Sequence, residues 1–293
     1  MHKAGFVNIV GNPNVGKSTL MNSLVGERIS IITSKAQTTR HRIMGIVNGE
    51  DFQIVYSDTP GVLAPNYKLQ ESMLNFSQSA LLDADILLYV TDTVETMDKH
   101  QAFIQKVQSL EIPVLVIINK IDLSSQESLE LQVKEMQELL PKAEIVPTSA
   151  LKKFNIQYIL KRILEMLPES PPYFDKEALT DKPARFFITE IIREKILLYY
   201  QKEIPYASEV IVEAFEDGKA LVKISAVIIV ERETQKGIII GHGGKALKKV
   251  GTEARKDIEA FLDKKVFLQL FVKVEKDWRN KETKLKAFGY QLD

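Results

Sequence analysis

One short motif constrains what this chain can fold into more than any other part of the sequence. Residues 11–18 match the phosphate-binding pattern G-x-x-x-x-G-K-[ST] as Gly11-Asn12-Pro13-Asn14-Val15-Gly16-Lys17-Ser18. The pattern needs a buried strand before it and a helix after it, and the sequence predicts both. The glycines let backbone N–H groups approach a phosphate, Lys17 can reach the β- and γ-phosphates, and Ser18 offers Mg²⁺ a hydroxyl. A glycine-rich turn that matches by chance is the alternative, and its flanking elements argue against it.

Apolar runs alternate with helical patterns around this motif. Strands are predicted at 4–10, 52–57, 85–91, 113–119 and 144–148, and helices near 68–82, 98–109, 126–140 and 155–166. A further run at 43–48 faces the strand 52–57 across a tight turn, as in an antiparallel hairpin. The sequence therefore predicts an α/β domain with a mixed, mostly parallel sheet and helices on both faces.

Residues 168–183 differ from the rest of the chain. They contain four prolines and six charged residues without periodicity, which favours an interdomain linker. We predict domains at 1–167 and 184–276, followed by a C-terminal tail at 277–293. In the second domain the predicted order is a helix (184–201), strands (208–215 and 220–231), a glycine-broken helical pair (235–262) and a strand (265–275), an α+β arrangement.

Composition excludes several kinds of site. The chain has no cysteine, so it has no disulfide, thiolate nucleophile or Cys-ligated metal centre. The N-terminus lacks a signal-peptide layout and no apolar run approaches the roughly 20 residues that span a bilayer. We therefore expect a cytoplasmic protein whose membrane contact, where it has one, is peripheral. Residues 1–183 carry 18 basic and 22 acidic side chains and residues 184–293 carry 21 and 17, a weak indication that the second half meets a polyanion.

A second motif follows the strand 52–57 directly and reads Asp58-Thr59-Pro60-Gly61. Ligands of open α/β sheets collect at the carboxyl ends of strands, so we predict that Asp58 holds Mg²⁺. The N–H of Gly61 can meet the γ-phosphate, and a contact made only in the triphosphate state creates a conformational switch. A plain Pro-Gly turn would explain the tetrapeptide alone, but its position after the phosphate loop favours the switch.

The strand 113–119 ends in Asn119-Lys120-Ile121-Asp122. The carboxylate of Asp122 can accept hydrogen bonds from both the ring N–H and the exocyclic amine of guanine, a pair of donors that adenine lacks. This residue therefore predicts selection of GTP over ATP. Asn119 and Lys120 would brace the loop around the base. The loop that contains Ser149 and Ala150 can donate a backbone N–H to the guanine oxygen.

In this order the motifs resemble those of the translation-factor-related GTPases. The resemblance implies Mg²⁺-dependent hydrolysis of GTP to GDP and phosphate, with catalytic roles for Asn14, Lys17 and Gly61 and for a switch threonine that binds Mg²⁺. Thr38 and Thr39 are both candidates for that threonine, and we predict Thr39. The alternative is that the polar stretch around these two threonines is only a mobile loop.

Position 62 departs from the pattern of Ras-like GTPases, which place a water-orienting glutamine there. Val62 cannot orient water. The chain resembles a subclass with an apolar residue at this position, some of whose members use K⁺ held by the asparagine that corresponds to Asn14. K⁺ is therefore a hypothesis, and an arginine supplied by a partner is its rival.

A second glycine motif, G-x-x-G, occupies Gly241-His242-Gly243-Gly244 between two helical segments. Four lysines surround it without an intervening acid: Lys236, Lys245, Lys248 and Lys249. This arrangement and the element order resemble type II KH domains, which clamp a nucleic-acid backbone. The alternative is a helical hairpin with a glycine corner and a solvated basic face, and we interpret His242 as filling the loop. The basic tail after Lys273 would either extend the RNA surface or pack Trp278 inward.

A GTPase domain followed by a KH domain resembles, along essentially the whole chain, the bacterial ribosome-assembly GTPases of this architecture. The resemblance implies binding to the 3′ end of 16S ribosomal RNA, a role in 30S subunit assembly, and coupling of GTP state to RNA affinity through the linker. It also implies a monomer, with a weak peripheral membrane contact and a link to cell growth as further hypotheses. A signalling or membrane-associated GTPase and an ATP-driven enzyme remain alternatives, and Asp122 opposes the latter.

Overall fold

A computed structural model of the chain describes residues 1–61, 65–94 and 101–290, with the backbone alone at 101–103, and these residues form eighteen α-helices and β-strands. Val62 lies outside these residues. The elements follow the order β1 (Lys3–Val10), α1 (Lys17–Val25), β2 (Ile43–Asn48), β3 (Phe52–Asp58), α2 (Lys68–Leu82), β4 (Ile86–Asp92), α3 (Gln101–Gln108), β5 (Val114–Asn119), α4 (Gln126–Leu139), β6 (Glu144–Pro147), α5 (Ile156–Met166), α6 (Ala184–Tyr199), β7 (Glu209–Asp217), β8 (Leu221–Val230), α7 (Glu233–Ile240), α8 (Lys245–Leu262), β9 (Lys265–Val274) and α9 (Glu282–Ala287).

These elements belong to two units. The first contains Met1–Ser30, Thr39–Pro65 and Met73–Asp181, and the second contains Ile31–Thr38, Asn66–Ser72 and Lys182–Asp293. No helix in the described part of the chain is long and apolar enough to cross a bilayer.

The first unit is built on a six-stranded sheet in the order β2-β3-β1-β4-β5-β6. Only the β2–β3 hairpin is antiparallel, which confirms the predicted mixed, mostly parallel sheet. All seven residues of β4 are buried, as expected for a parallel strand covered on both faces. Ile9 pairs with Asp58 and Asp92 pairs with Asn119, so the polar ends of β3, β4 and β5 meet at one edge of the sheet.

The proline-rich segment after α5 has an ordered path along the first unit although it contains no helix or strand. The buried side chain of Gln53 accepts hydrogen bonds from the backbone N–H groups of Tyr173 and Phe174, at 2.7 and 2.9 Å, and donates to the Phe174 carbonyl at 2.9 Å. Further along, the Ile46 N–H donates to the Leu179 carbonyl at 2.9 Å. This segment therefore runs beside strand β2, the end strand of the sheet.

The second unit has a three-stranded sheet in the order β7-β8-β9, with β7–β8 antiparallel and β8–β9 parallel. Its chain order of α6, β7, β8, α7, α8 and β9 confirms the predicted type II KH arrangement. One apolar core joins the helices to the sheet, and Ile192, Ile228 and Ile258 are completely buried in it.

The tail packs back onto this unit. Trp278 is fully buried, and its indole N–H donates to the Ala207 carbonyl at 3.0 Å. Of the two alternatives for this side chain, inward packing is therefore the one found.

Candidate nucleotide and nucleic-acid sites

The phosphate loop has a backbone that only glycine tolerates at two positions. Gly11 has φ 148° and Gly16 has φ 96°. A Cβ atom on Gly11 would lie 2.1 Å from the Val90 carbonyl oxygen, and one on Gly16 would lie 2.3 Å from the Asn119 side-chain nitrogen. Gly16 is also the N-cap of α1, so the loop leads into a helix N-terminus whose N–H groups suit a phosphate.

Lys17 lies inside this loop. Its ammonium is buried and donates to the carbonyls of Gly11 and Asn12 at 2.9 and 2.8 Å. A Cβ atom on Gly61 would lie 2.8 Å from the same Nζ and 2.7 Å from the Pro13 backbone. The second motif therefore packs against the phosphate loop at the lysine, where we predict the γ-phosphate.

Three oxygen-bearing side chains meet beside the loop. The Ser18 hydroxyl donates to Asp58 Oδ2 at 2.7 Å and lies 2.9 Å from the hydroxyl of Thr39, which is 3.4 Å from the same Oδ2. Thr38 instead lies 2.6 Å from the Thr33 hydroxyl and donates to the Lys35 carbonyl at 2.6 Å. The geometry therefore favours Thr39 as the switch threonine.

Asp58 is completely buried, and its second oxygen, Oδ1, has no hydrogen-bond partner among the described residues. Burial raises the pKa of Asp58, against the opposing effects of the Ser18 hydroxyl and the Lys17 ammonium. In the described part of the chain no group of three or more His, Cys, Asp or Glu residues could hold a metal ion. One carboxylate with two hydroxyls suits a hard cation that also binds phosphate oxygens, and Mg²⁺ is such a cation.

The other residues of the two motifs differ in their surroundings. The Thr59 hydroxyl donates to the Ile9 carbonyl at 2.8 Å, and the Pro60 carbonyl accepts from Ser77 at 2.5 Å. Val15 is completely buried, whereas Asn14 is exposed with φ 66°.

The base-binding residues are linked across the ends of three strands. Asn119 donates to the Val15 carbonyl at 2.8 Å and accepts from the Ala150 N–H at 3.0 Å, so it joins the phosphate loop to the loop after β6. Asp122 is exposed in the short 3-10 helix Ile121–Leu123, where its carboxylate accepts from the Ser149 hydroxyl at 2.5 Å. The structure thus brings the predicted phosphate, magnesium and base residues to one edge of the sheet.

Sequence reasoning missed Asp92. This nearly buried residue ends β4, and its carboxylate pairs with Lys120 Nζ at 2.5 Å. The same ammonium donates to the Asn14 carbonyl at 2.5 Å, and Lys120 has φ 61°. Asp92 therefore orients the lysine that braces the phosphate loop. An acid directly after the apolar run of β4 is the signal that could have found it.

The G-x-x-G loop of the second unit has positive φ at all three glycines: Gly241 (φ 72°), Gly243 (φ 59°) and Gly244 (φ 75°). A Cβ atom on Gly241 would lie 2.6 Å from the Ala246 side chain. Gly244 is the N-cap of α8, so the loop joins a second helix N-terminus.

Basic and apolar side chains surround this loop. His242, Lys245, Lys248 and Lys249 are exposed, and Lys236 is half-buried. Lys249 Nζ lies 4.2 Å from the centroid of the Tyr199 ring. Ile238 exposes half of its side chain on α7. Cationic groups and N–H donors beside an apolar surface can hold phosphates and bases together.

Two families match the chain. The family described as 50S ribosome-binding GTPase matches residues 6–120, and the KH domain family matches residues 203–279. Among curated proteins, GTPase Era of Clostridium kluyveri is 42% identical over 99% of this chain and 100% of its own length. GTPase Era of Alkaliphilus metalliredigens is 44% identical over 99% of each chain.

Two solved structures are similar over the same extent. An Aquifex aeolicus Era variant bound to GDP.AlF4⁻ has a TM-score of 0.94 and 39% identity, covering 99% of this chain and 100% of that one. Era in complex with MgGDPNP and nucleotides 1506–1542 of 16S ribosomal RNA has a TM-score of 0.95 and 39% identity, covering 100% of both chains. Both the nucleotide motifs and the G-x-x-G loop lie within the part of the chain that these structures match.

Proposed function

Because this chain belongs to the Era family of GTPases, we propose that it is a GTP-hydrolysing switch that binds the 3′ end of 16S ribosomal RNA and acts in 30S subunit assembly. One observation carries the proposal: a single chain combines a complete set of guanine-nucleotide motifs with an intact G-x-x-G loop. It also aligns over its full length with an Era complex that contains both MgGDPNP and this RNA.

Each part of the nucleotide site has a distinct task in hydrolysis. The N–H groups of the phosphate loop and the Lys17 ammonium hold the phosphates and stabilise the charge that develops as the γ-phosphoryl group leaves. Ser18, Thr39 and Asp58 would hold Mg²⁺, which neutralises charge on the β- and γ-phosphate oxygens. Gly61 offers its N–H where no side chain fits. Asp122 selects the guanine base, and Asn119 and Lys120 keep its loop against the phosphate loop.

The finer parts of the proposal concern the assembly and its location. The 30S subunit is the proposed target, and the chain is proposed to act as a monomer. A weak peripheral contact with the cytoplasmic face of the membrane is a hypothesis taken from the family resemblance, and co-sedimentation with anionic vesicles tests it.

The proposal is tested by RNA binding in two nucleotide states. A 3′-end oligonucleotide of 16S ribosomal RNA and a scrambled control are titrated in GDP and in a non-hydrolysable GTP analogue. We expect tight, sequence-selective binding with the analogue only. Equal weak binding in every condition would favour instead a GTPase whose C-terminal domain binds protein or lipid.

Replacing Gly241 and Gly244 with aspartate is expected to weaken RNA binding by about thirtyfold or more, because two carboxylates would face the phosphates that the loop holds. GTP hydrolysis without RNA should be unchanged. Fluorescence anisotropy and a phosphate-release assay measure the two effects. Gly26→Asp is the matched control, because Gly26 also has positive φ (84°) but lies in the first unit with open space at its Cβ position. Unchanged RNA affinity in the double variant would contradict RNA binding by this loop.

We also propose that K⁺ assists hydrolysis beside Asn14, whose exposed position in the phosphate loop is compatible with such a site. Hydrolysis should then be several-fold faster in potassium than in sodium buffer, and Asn14→Ala should abolish that difference. Equal rates in the two buffers would leave the arginine of a partner as the rival account.

A further inference from the structure

Hydrogen bonds to the scaffold hold the second motif of the nucleotide site at two of its four residues. The Thr59 hydroxyl donates to the carbonyl of Ile9 in strand β1 at 2.8 Å. The Pro60 carbonyl accepts from the hydroxyl of Ser77 in helix α2 at 2.5 Å, and Pro60 and Ser77 are both buried. These four residues and the phosphate loop all belong to the first unit, so the contacts depend only on packing inside that unit.

The two contacts leave little freedom to the backbone between them. The proline ring fixes φ of Pro60 at about −65°, so the direction of its carbonyl depends on ψ, and the bond from Ser77 sets that angle. The peptide bond that joins Pro60 to Gly61 is trans and planar. Its N–H therefore points away from its carbonyl. The hydroxyl that binds the Pro60 carbonyl consequently also sets the direction of the Gly61 N–H.

Gly61 itself lies against the phosphate loop. A Cβ atom on Gly61 would be 2.7 Å from the backbone of Pro13 and 2.8 Å from the Lys17 ammonium nitrogen. The N–H whose direction Ser77 sets is therefore the one that we predict to meet the γ-phosphate. A donor that is already oriented costs no reorganisation when negative charge arrives or develops beside it.

The hydroxyl of Ser77 also has a second acceptor within its own helix. It lies 3.3 Å from the Met73 carbonyl, one turn earlier, compared with 2.5 Å from the Pro60 carbonyl. Because a hydroxyl has a single proton to donate, a rotation of the Ser77 side chain exchanges one acceptor for the other. Release of the Pro60 carbonyl thus leaves no buried donor unpaired on the helix, which keeps the cost of switching low.

From this geometry we infer that Ser77 is a positioning residue that orients the Gly61 N–H toward the γ-phosphate by holding the Pro60 carbonyl. The inference rests on the proposed function, because it assumes the contact between Gly61 and the γ-phosphate. GDP has no γ-phosphate. Ser77 therefore contributes to the binding and hydrolysis of GTP but not to the binding of GDP.

The experiment replaces Ser77 with alanine and measures the affinities for GDP and for a non-hydrolysable GTP analogue, together with kcat. We expect the ratio of analogue affinity to GDP affinity to fall about tenfold, because one hydrogen bond to a charged phosphate is weakened. The value of kcat should fall by a similar factor, since the same N–H stabilises the charge on the departing phosphoryl group. GDP affinity should keep its parental value. Ser77→Thr, which retains the hydroxyl, should restore the ratio.

Ser79→Ala is the matched control. Ser79 is half-buried on the same helix, and its hydroxyl donates to the Phe76 carbonyl at 3.0 Å, so this change removes a helix hydroxyl without touching the second motif. A purely structural role for Ser77 would lower the melting temperature, or weaken the binding of both nucleotides equally, and leave the affinity ratio and kcat at their parental values. That result in the Ser77→Ala variant overturns the inference.

Gly61→Ala separates this failure from a failure of the proposed site. Its Cβ atom would collide with the Pro13 backbone and displace the Gly61 N–H from the γ-phosphate. If Gly61→Ala lowers the affinity ratio and Ser77→Ala does not, Ser77 has no positioning role. If Gly61→Ala keeps both the parental ratio and the parental kcat, the assigned contact with the γ-phosphate is wrong and the inference falls with it.

Discussion

Replacing Asp122 with asparagine is expected to shift the nucleotide preference of this protein from guanine to xanthine nucleotides. The carboxylate accepts two hydrogen bonds from guanine, whereas an amide has one acceptor and presents a donor beside it. Xanthine carries a carbonyl where guanine carries its amine, so it matches the amide. Two charge-assisted hydrogen bonds contribute about 1.5–3 kcal/mol each, so the affinity ratio of GDP to XDP should fall by about a thousandfold or more.

Titration of the parent and the variant with fluorescent GDP and XDP measures this ratio directly. Asp51→Asn, which neutralises an exposed carboxylate in the β2–β3 turn, should leave the ratio at its parental value. A variant that kept its preference for GDP would show that Asp122 does not read the base. The selectivity would then have to come from backbone groups of the loop at Ser149.

Replacing Gly11 with alanine is expected to remove nucleotide binding almost completely. The added Cβ would lie 2.1 Å from the Val90 carbonyl oxygen, and this backbone atom belongs to the buried strand β4, so the loop must move instead. The displaced loop supplies the backbone N–H groups that hold the phosphates, and the strained φ adds a cost of about 1–3 kcal/mol.

Gly26→Ala is the matched control for this change, because Gly26 also has positive φ but its Cβ would meet nothing within 4 Å. The Gly26→Ala variant therefore has the backbone strain of a positive φ but no steric clash at its Cβ atom. Calorimetric titration with GDP, together with thermal unfolding, separates the two contributions. Equal GDP affinity in the Gly11 and Gly26 variants would mean that the steric argument is wrong.

The fold was largely predictable because its strands are buried and its helices are amphipathic. The strand β4 reads as one apolar run because helices cover both faces of the sheet, and the predicted helix at 68–82 coincides with α2. The phosphate loop and the G-x-x-G loop are equally local, since each depends on glycines within a few residues of one another.

The contacts made over long sequence distances were not predictable. Arg193 and Glu190 lie three residues apart on a helix, a spacing that is typical of an exposed ion pair. Nothing in the sequence indicates that both are buried or that Arg193 donates to the carbonyls of Gln37 and Thr38. Asp92 was missed for a related reason, because its partner Lys120 is 28 residues away. Periodicity reports which face of an element is buried but not which distant backbone packs against it.

The ordered path of residues 168–181 has a consequence for the sheet itself. The backbone near Leu179 and Thr180 pairs with strand β2, which would otherwise present an open row of N–H and C=O groups to other molecules. A truncated protein that ended at residue 167 would expose this row and leave the buried amide of Gln53 without its partners at Tyr173 and Phe174. The segment thus protects the nucleotide-binding unit against edge-to-edge aggregation, and a soluble fragment of that unit has to extend to Asp181.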